Sequence, residues 1–288
     1  MPLARHFVTL GRGMLTALGF AMIPGLAAAD CGPVPGPCEL PDGTYHIELP
    51  EPANRPMPAL VFLHGWGSRG EGTLTMRGMV ESARARGYAV IAPDGVLRQS
   101  GNGRTWTFRP GQTGPRDDIA FLQSVRDDAV ERHGIDPEKV VLAGFSIGGS
   151  MTSYVACAAP DAFSAYAPVA GSFWRPHPAE CAGPVNLLHT HGWRDGTVPL
   201  TGRILRGGED PDDPGTIAQG DVWHAMSIWR ASNGCRPNAN DRRAEDIYWR
   251  ADWTTCSSGA VVGFALHEGG HGIPQGWAEL ALTWFEAL

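Results

Sequence analysis

The sequence predicts an α/β fold in which a mainly parallel central sheet is covered by helices on both faces. Three features predict it. Short runs that are apolar at every position, such as Ala59–Leu63 and Tyr88–Ala92, match parallel strands buried on both sides. Longer segments with apolar residues at helical spacing, such as Asp117–His133, lie between such runs. Strand and helix patterns also alternate along the chain instead of falling into separate blocks. Composition is consistent with this, since 43% hydrophobic and 18% charged residues exclude an intrinsically disordered chain. The 38 Gly and 24 Pro follow no period, which excludes collagen-like and low-complexity readings and leaves many tight turns.

The elements follow in order. Thr44–Leu49 is the first strand expected. Ala59–Leu63 is the first buried one and ends in the turn His64-Gly65-Trp66-Gly67. Gly72–Arg86 carries Leu74, Met76, Met79, Val80 and Ala83 near helical spacing, and Gly87 closes it. Tyr88–Ala92 is a strand stopped by Pro93-Asp94-Gly95, and Val96–Arg116 is a loop without periodicity. Asp117–His133 is a helix with Asp117 or Asp118 as its N-cap. Val140–Ala143 is a strand and Gly149–Ala159 a helix of small residues; Ala165–Val169 and Val185–His189 are two further strands. Asp221–Ser232 and Trp277–Ala287 read as helices with the last strand, Val261–Leu266, between them. No linker divides residues 30–288, which are expected to form a single domain with Arg203–Gly220 as an irregular insertion.

Residues 1–29 read as a secretory signal peptide. Arg5, His6 and Arg12 supply the positive start, Gly13–Leu26 the apolar stretch, and Ala27-Ala28-Ala29 the small-residue cleavage site. Pro24 and Gly25 interrupt the apolar run short of the ~20 residues that a membrane-spanning helix needs, so no membrane anchor is expected. All six cysteines, Cys31, Cys38, Cys157, Cys181, Cys235 and Cys256, lie beyond this segment. An even number behind an export signal implies disulfides in an oxidising compartment. Spacing alone does not choose among the pairings; the expectation is the local set 31–38, 157–181 and 235–256. No C-x-x-C pair occurs, so a cysteine metal site is not expected. The formal charge of −7, without a block of like charges, argues against nucleic acid or an anionic membrane as partner. Oligomeric state is left open, and a monomer is compatible with everything above.

The chemistry centres on Gly144-Phe145-Ser146-Ile147-Gly148-Gly149, set between a buried strand and a helix. G-x-S-x-G in that context is a strand-to-helix elbow that lifts a serine hydroxyl above the sheet and sets it at a helix N-terminus. Ser146 is the expected nucleophile. A serine needs a base, and His271, in Glu268-Gly269-Gly270-His271-Gly272 after the last strand, stands where the base of a Ser…acid…His chain order belongs. The acid must come between them. Asp195, in a turn just after a strand, is preferred to Asp210, Asp212, Asp213 and Asp221, none of which directly follows one. The backbone N–H groups of Trp66 and Ile147 are the expected oxyanion donors. His267-Glu268-Gly269-Gly270-His271 also spells H-E-x-x-H, but a zinc site of that kind needs a helix, and the paired glycines and Pro274 oppose one.

With these motifs in place, the chain resembles the secreted α/β-hydrolase esterases grouped with polyhydroxybutyrate depolymerases, feruloyl esterases and acetylxylan esterases. The matching stretches are Leu60–Gly65, Pro93-Asp94-Gly95, Asp117–Phe121, Gly144–Gly149, Pro168–Gly171, His191–Pro199 and Gly269-Gly270-His271. The resemblance implies an α/β-hydrolase fold, Ser146 as nucleophile, Asp195 as acid, His271 as base, an ester substrate and no cofactor. It also implies a Cys235–Cys256 bridge. Two departures stand out. Many relatives have Thr-Trp-Pro after the histidine where this chain has Gly272-Ile273-Pro274, so the pocket edge there does not carry over. The chain also stops at Leu288 without an appended binding module, which favours soluble oligomers or small esters over a crystalline polymer. Trp66, Trp106 and Trp174 are expected to line the substrate groove. The expected activity is ester hydrolysis through an acyl-enzyme, on hydroxyalkanoate oligomers or on feruloyl or acetyl esters of plant polysaccharide. The alternatives are a serine peptidase or amidase on the same scaffold and a catalytically silent binding module.

Overall fold

A computed structural model describes residues 1–2, 31, 36–109 and 111–288. All but the first two positions of the segment read as a signal peptide lie outside the described residues. Two short strands, β1 (Cys38–Leu40) and β2 (Gly43–Glu48), precede β3 (Met57–Leu63), α1 (Gly70–Leu74), α2 (Arg77–Ala85) and β4 (Ala89–Pro93). A small hairpin of β5 (Val96–Leu97) and β6 (Arg104–Thr105) leads to α3 (Asp118–His133), β7 (Ile135–Phe145) and α4 (Ile147–Ala158). Then come β8 (Ala165–Val169), β9 (Leu187–Gly192), a second hairpin of β10 (Arg203–Arg206) and β11 (Ile217–Gln219), and α5 (Val222–Ser232). The chain closes with β12 (Asp241–Glu245), β13 (Tyr248–Trp253), β14 (Val262–His267) and α6 (Trp277–Glu286).

Ten strands form one sheet in the order β1-β2-β4-β3-β7-β8-β9-β14-β13-β12. The six from β4 to β14 are parallel, and an antiparallel pair flanks them at each end. This is the α/β-hydrolase arrangement, with helices on both faces. The faces follow from strand periodicity, because successive side chains leave a strand on opposite sides. In β3, Val61 and Leu63 join a core with Phe121, Leu122 and Val125 of α3, Met151 and Val155 of α4 and Trp229 of α5. Leu60 and Phe62 join the opposite core, with Val80 and Ala83 of α2 and Trp277, Ala281 and Leu282 of α6. Each large side chain sealed this way contributes about 1.5–3 kcal/mol. Trp277 also satisfies its ring N–H on Thr190 Oγ1 at 3.2 Å, which fixes α6 to β9.

Several boundaries differ from the sequence reading, each for a local reason. The helix expected over Gly72–Arg86 is two helices, because Thr75 Oγ1 donates back to the Gly72 carbonyl at 2.7 Å and competes with the helical ladder. The N-cap of α3 is Asp117, whose carboxylate accepts from Ile119 and Ala120 N–H, and Gly134 in the left-handed region ends the helix. The Val96–Arg116 loop contains the β5–β6 hairpin, and the Arg203–Gly220 insertion is not irregular throughout but holds the β10–β11 hairpin. Strands β1, β12 and β13 went unpredicted. In β12, Asp241-Arg242-Arg243-Ala244-Glu245 shows no apolar alternation because it is an edge strand held by its backbone pairing to β13. Arg243 there pairs with Asp241, Glu245 and Asp252. The strand expected over Val185–His189 is shifted onward to Leu187–Gly192, because His189, Thr190 and His191 are polar yet buried.

Disulfides join Cys31 to Cys38, Cys157 to Cys181 and Cys235 to Cys256. Among the described residues no helix is long and apolar enough to cross a membrane.

Candidate active site

Ser146 sits between β7 and α4 with φ 60° and ψ −119°, a conformation that residues with a Cβ seldom adopt. The glycines around it make the turn possible. A Cβ on Gly144 would meet the Gly148 backbone, and one on Gly148 would fall on the Leu63 and His64 carbonyls. Ser146 N–H donates to Val169 O at 2.9 Å and its carbonyl accepts from Ser150 N–H, so both sides of the elbow are anchored. The hydroxyl stands at the C-terminal edge of the parallel strands and at the N-terminus of α4.

Two distant loops meet it there. His271 Nε2 lies 3.0 Å from Ser146 Oγ, and its Nδ1 lies 2.8 Å from Asp195 Oδ2. With Asp195 ionised the ring proton belongs on Nδ1, which leaves Nε2 to accept the serine proton. The other oxygen of Asp195 accepts from the N–H groups of Thr197 and Val198, each at 2.8 Å. Burial alone would raise the Asp195 carboxyl, but the hydrogen bonds from His271, Val198 and Thr197 outweigh it and hold the group below the usual carboxylate range. His267 ends β14 and Glu268–His271 is irregular, so the two imidazoles of the H-E-x-x-H spelling do not share a helical face. His267 Nδ1 instead accepts from Gly269 N–H at 3.1 Å.

The turn after β3 faces the same hydroxyl. Ser146, His271 and Trp66 line one cavity of about 400 Å³. Gly67 N–H is committed to Arg104 O and Ser68 N–H to Gly65 O, whereas among the described residues no protein group accepts the N–H of Trp66. Ile147 N–H opens α4 and has no intrahelical acceptor either. The arrangement can therefore remove a hydroxyl proton and offer two backbone donors beside it.

Known proteins resemble this chain in family and fold. The putative esterase NocK of Nocardia uniformis subsp. tsuyamanensis is 32% identical over 249 residues, covering 78% of this chain and 67% of that one. The chain belongs to the α/β-hydrolase esterases. The poly(3-hydroxyalkanoate) depolymerase C of Paucimonas lemoignei is 27% identical over 80% of this esterase, which spans 54% of the depolymerase. Residues 75–174 match the model of the prolyl oligopeptidase family. The solved acetyl xylan esterase from Aspergillus awamori superposes with a TM-score of 0.63 over 85% of this chain and 94% of its own, at 15% identity, which is a likeness of fold.

The three tryptophans named from the sequence divide. Trp66 is 61% exposed and walls both the cavity at Ser146 and a neighbouring cleft of about 510 Å³. Trp174 lines that cleft, edge-on to Phe108 at 5.6 Å. Trp106 also lines that cleft, from its floor. It is buried at 1% exposure, and its ring N–H donates to His64 O at 3.0 Å, so it supports the turn from beneath.

Sequence reasoning missed the residues that hold this site in place. His64 is buried, and its Nδ1–H donates to Gly65 O at 2.8 Å while Nε2 accepts Gly95 N–H at 3.0 Å. Burial pushes its pKa down, in keeping with a neutral ring that makes both bonds. His191 Nε2–H donates to Val198 O at 2.8 Å, opposite the bond that Asp195 makes to Val198 N–H. Burial lowers the pKa of both His191 and its stacked neighbour His189, so both rings are neutral. Asp118, weighed only as a cap, accepts from Thr107 N–H and pairs with Arg116 at 2.6 Å, which fixes the loop beside the cleft.

Proposed function

We propose that the esterase cleaves carboxylic esters through an acyl-enzyme in which Ser146 is the nucleophile, His271 the general base and Asp195 its orienting acid. Ser146 Oγ attacks the ester carbonyl as His271 takes its proton, and the N–H groups of Trp66 and Ile147 receive the developing oxyanion. The imidazolium returns the proton to the departing alcohol. Water, deprotonated by the same ring, then attacks the acyl-serine and releases the carboxylic acid. The observation that carries this reading is His271, with Ser146 Oγ at 3.0 Å on one nitrogen and Asp195 at 2.8 Å on the other. The substrates we propose are hydroxyalkanoate oligomers or acyl esters of plant polysaccharide. The relative named a poly(3-hydroxyalkanoate) depolymerase supports the first class, and a cleft rimmed by Trp66 and Trp174 suits an extended chain of either. Three disulfides support export to the periplasm or the medium.

The test is Ser146→Ala. The variant is expected to fold and to lose p-nitrophenyl butyrate turnover down to background, while a fluorophosphonate probe labels the wild type alone. Retained turnover would overturn the assignment. Amide hydrolysis is the second reading, favoured by the match of residues 75–174 to the prolyl oligopeptidase family. Turnover of matched p-nitroanilides at rates rivalling the esters would establish it.

A further inference from the structure

The cleft next to Ser146 has a charge character opposite to that of the whole protein. It is bounded at the catalytic side by Trp66 and Ile147 and further along by Trp174. Two arginines, Arg98 and Arg109, line it, and among the described residues no Asp or Glu does, on a chain whose formal charge is −7. The Arg98 guanidinium lies 4.3 Å over the Trp66 ring, and that of Arg109 lies 5.4 Å from the Trp174 ring. Both are half-buried. Neither pairs with a carboxylate among the described residues; Arg98 meets only the Asn102 carbonyl, at 3.0 Å. Their neighbours behave differently. Arg104 pairs with Asp94, and Arg116 pairs with Asp118.

A guanidinium laid on an indole face is held in one orientation by cation–π attraction, and its N–H edge stays available, less the one Arg98 N–H given to Asn102 O. That edge matches a carboxylate with two parallel hydrogen bonds. Two such groups beside hydrogen-bonding side chains, with no fixed negative charge among them, create a positive local field that draws an anion into the cleft. We propose that the esterase selects esters bearing a free carboxylate, held by Arg98 and Arg109 while the ester carbonyl lies at Ser146. The inference rests on the proposed function above and names the substrate class for it. A carboxylate of this kind has two chemical sources: the acid end of a hydroxy-acid oligomer, or a uronic acid on an acylated polysaccharide.

The experiment compares kcat/KM on matched pairs at low and high salt. One pair is the 3-hydroxybutyrate trimer as free acid and as methyl ester. The other is acetylated xylo-oligosaccharide with and without a glucuronate branch. Wild-type enzyme is expected to prefer the anionic member of one pair by roughly tenfold, and the pair that responds identifies the source. The preference is expected to collapse in 0.5 M NaCl and in Arg98→Gln/Arg109→Gln. The salt arm reads the proposal on wild-type protein even if the variant does not fold. Equal kcat/KM within both pairs, or a preference that survives both salt and the double substitution, overturns the inference. Wild-type enzyme inactive on every ester, p-nitrophenyl butyrate included, would instead overturn the proposed hydrolase mechanism.

Discussion

Ser146 at φ 60° is held in a conformation that costs about 1–3 kcal/mol, and the surrounding structure keeps it there. The Val169 carbonyl takes its N–H, and the flanking glycines leave room for the turn. What the strain secures is position, since the hydroxyl reaches the imidazole only from the top of that elbow. Asp195 does the corresponding work for the imidazole. Both its oxygens are occupied, one by His271 and the other by the Thr197 and Val198 N–H groups, and the side chain is wholly buried. Asp195→Asn should leave this framework standing while favouring the wrong tautomer of His271. We expect kcat on p-nitrophenyl butyrate to fall about 10⁴-fold, with a loss below tenfold contradicting the proposed role. At this scale Ser146 and His271 could be singled out because each stands in a glycine-rich turn of recognisable setting, and Asp195 because it directly follows a strand. His64 and His191 could not. Their contribution depends on burial and on backbone partners that only the folded loops bring to each ring, Gly65 O and Gly95 N–H for His64 and Val198 O for His191, and no local pattern encodes either.

Among the elements, the contact of β3 with β7 and α4 decides whether the turn after β3 sits against Ser146, the proposed nucleophile. Gly148 is the point of closest approach. Gly148→Ala would drive a methyl group into the Leu63 and His64 carbonyls and force β3 away from α4. The expected cost is about 1–3 kcal/mol of stability, visible as a lower melting temperature, together with a marked fall in kcat. An unchanged melting temperature would show that the helix can move without consequence. The buried strands β3, β4, β7 and β8 could be read from the sequence because a short unbroken apolar run suits a strand covered on both faces and leaves no side to face water. The small hairpins could not. β5 and β6 are two residues long each, and β10 is exposed along its whole length, so neither periodicity nor burial marks them. Their structure comes from tertiary contact: Gly67 N–H bonds to Arg104 O, and Arg104 N–H to Ser68 O, clasping the turn after β3.

For the molecule as a whole, Asp94 is the main electrostatic tie among the elements below the cleft. It accepts from Thr44 Oγ1 and Gly70 N–H at 2.8 Å each, and His46 and Arg104 stand within 3.5 Å. Burial opposes its ionisation, but the hydrogen bonds from His46, Gly70 and Thr44 and the Arg104 charge win and hold its pKa well below the usual range. A carboxyl depressed by folding contributes fully above its unfolded value of about 3.9 and loses that contribution as pH falls below it. Asp94→Asn is therefore expected to cost about 1–3 kcal/mol at pH 7, with the gap to wild type closing as pH drops from about 5 toward 2. A gap that stays constant or widens in acid would refute the tie. The ten-stranded sheet carries one more implication, at its two open margins. On one side β1 is only three residues long and is tethered by the Cys31–Cys38 bridge; on the other, β12 displays both signs of charge along a backbone that could otherwise template another strand. A short tethered margin and a charged one give a neighbouring copy little to zip onto, so the protein is built to resist cross-β aggregation where it is concentrated.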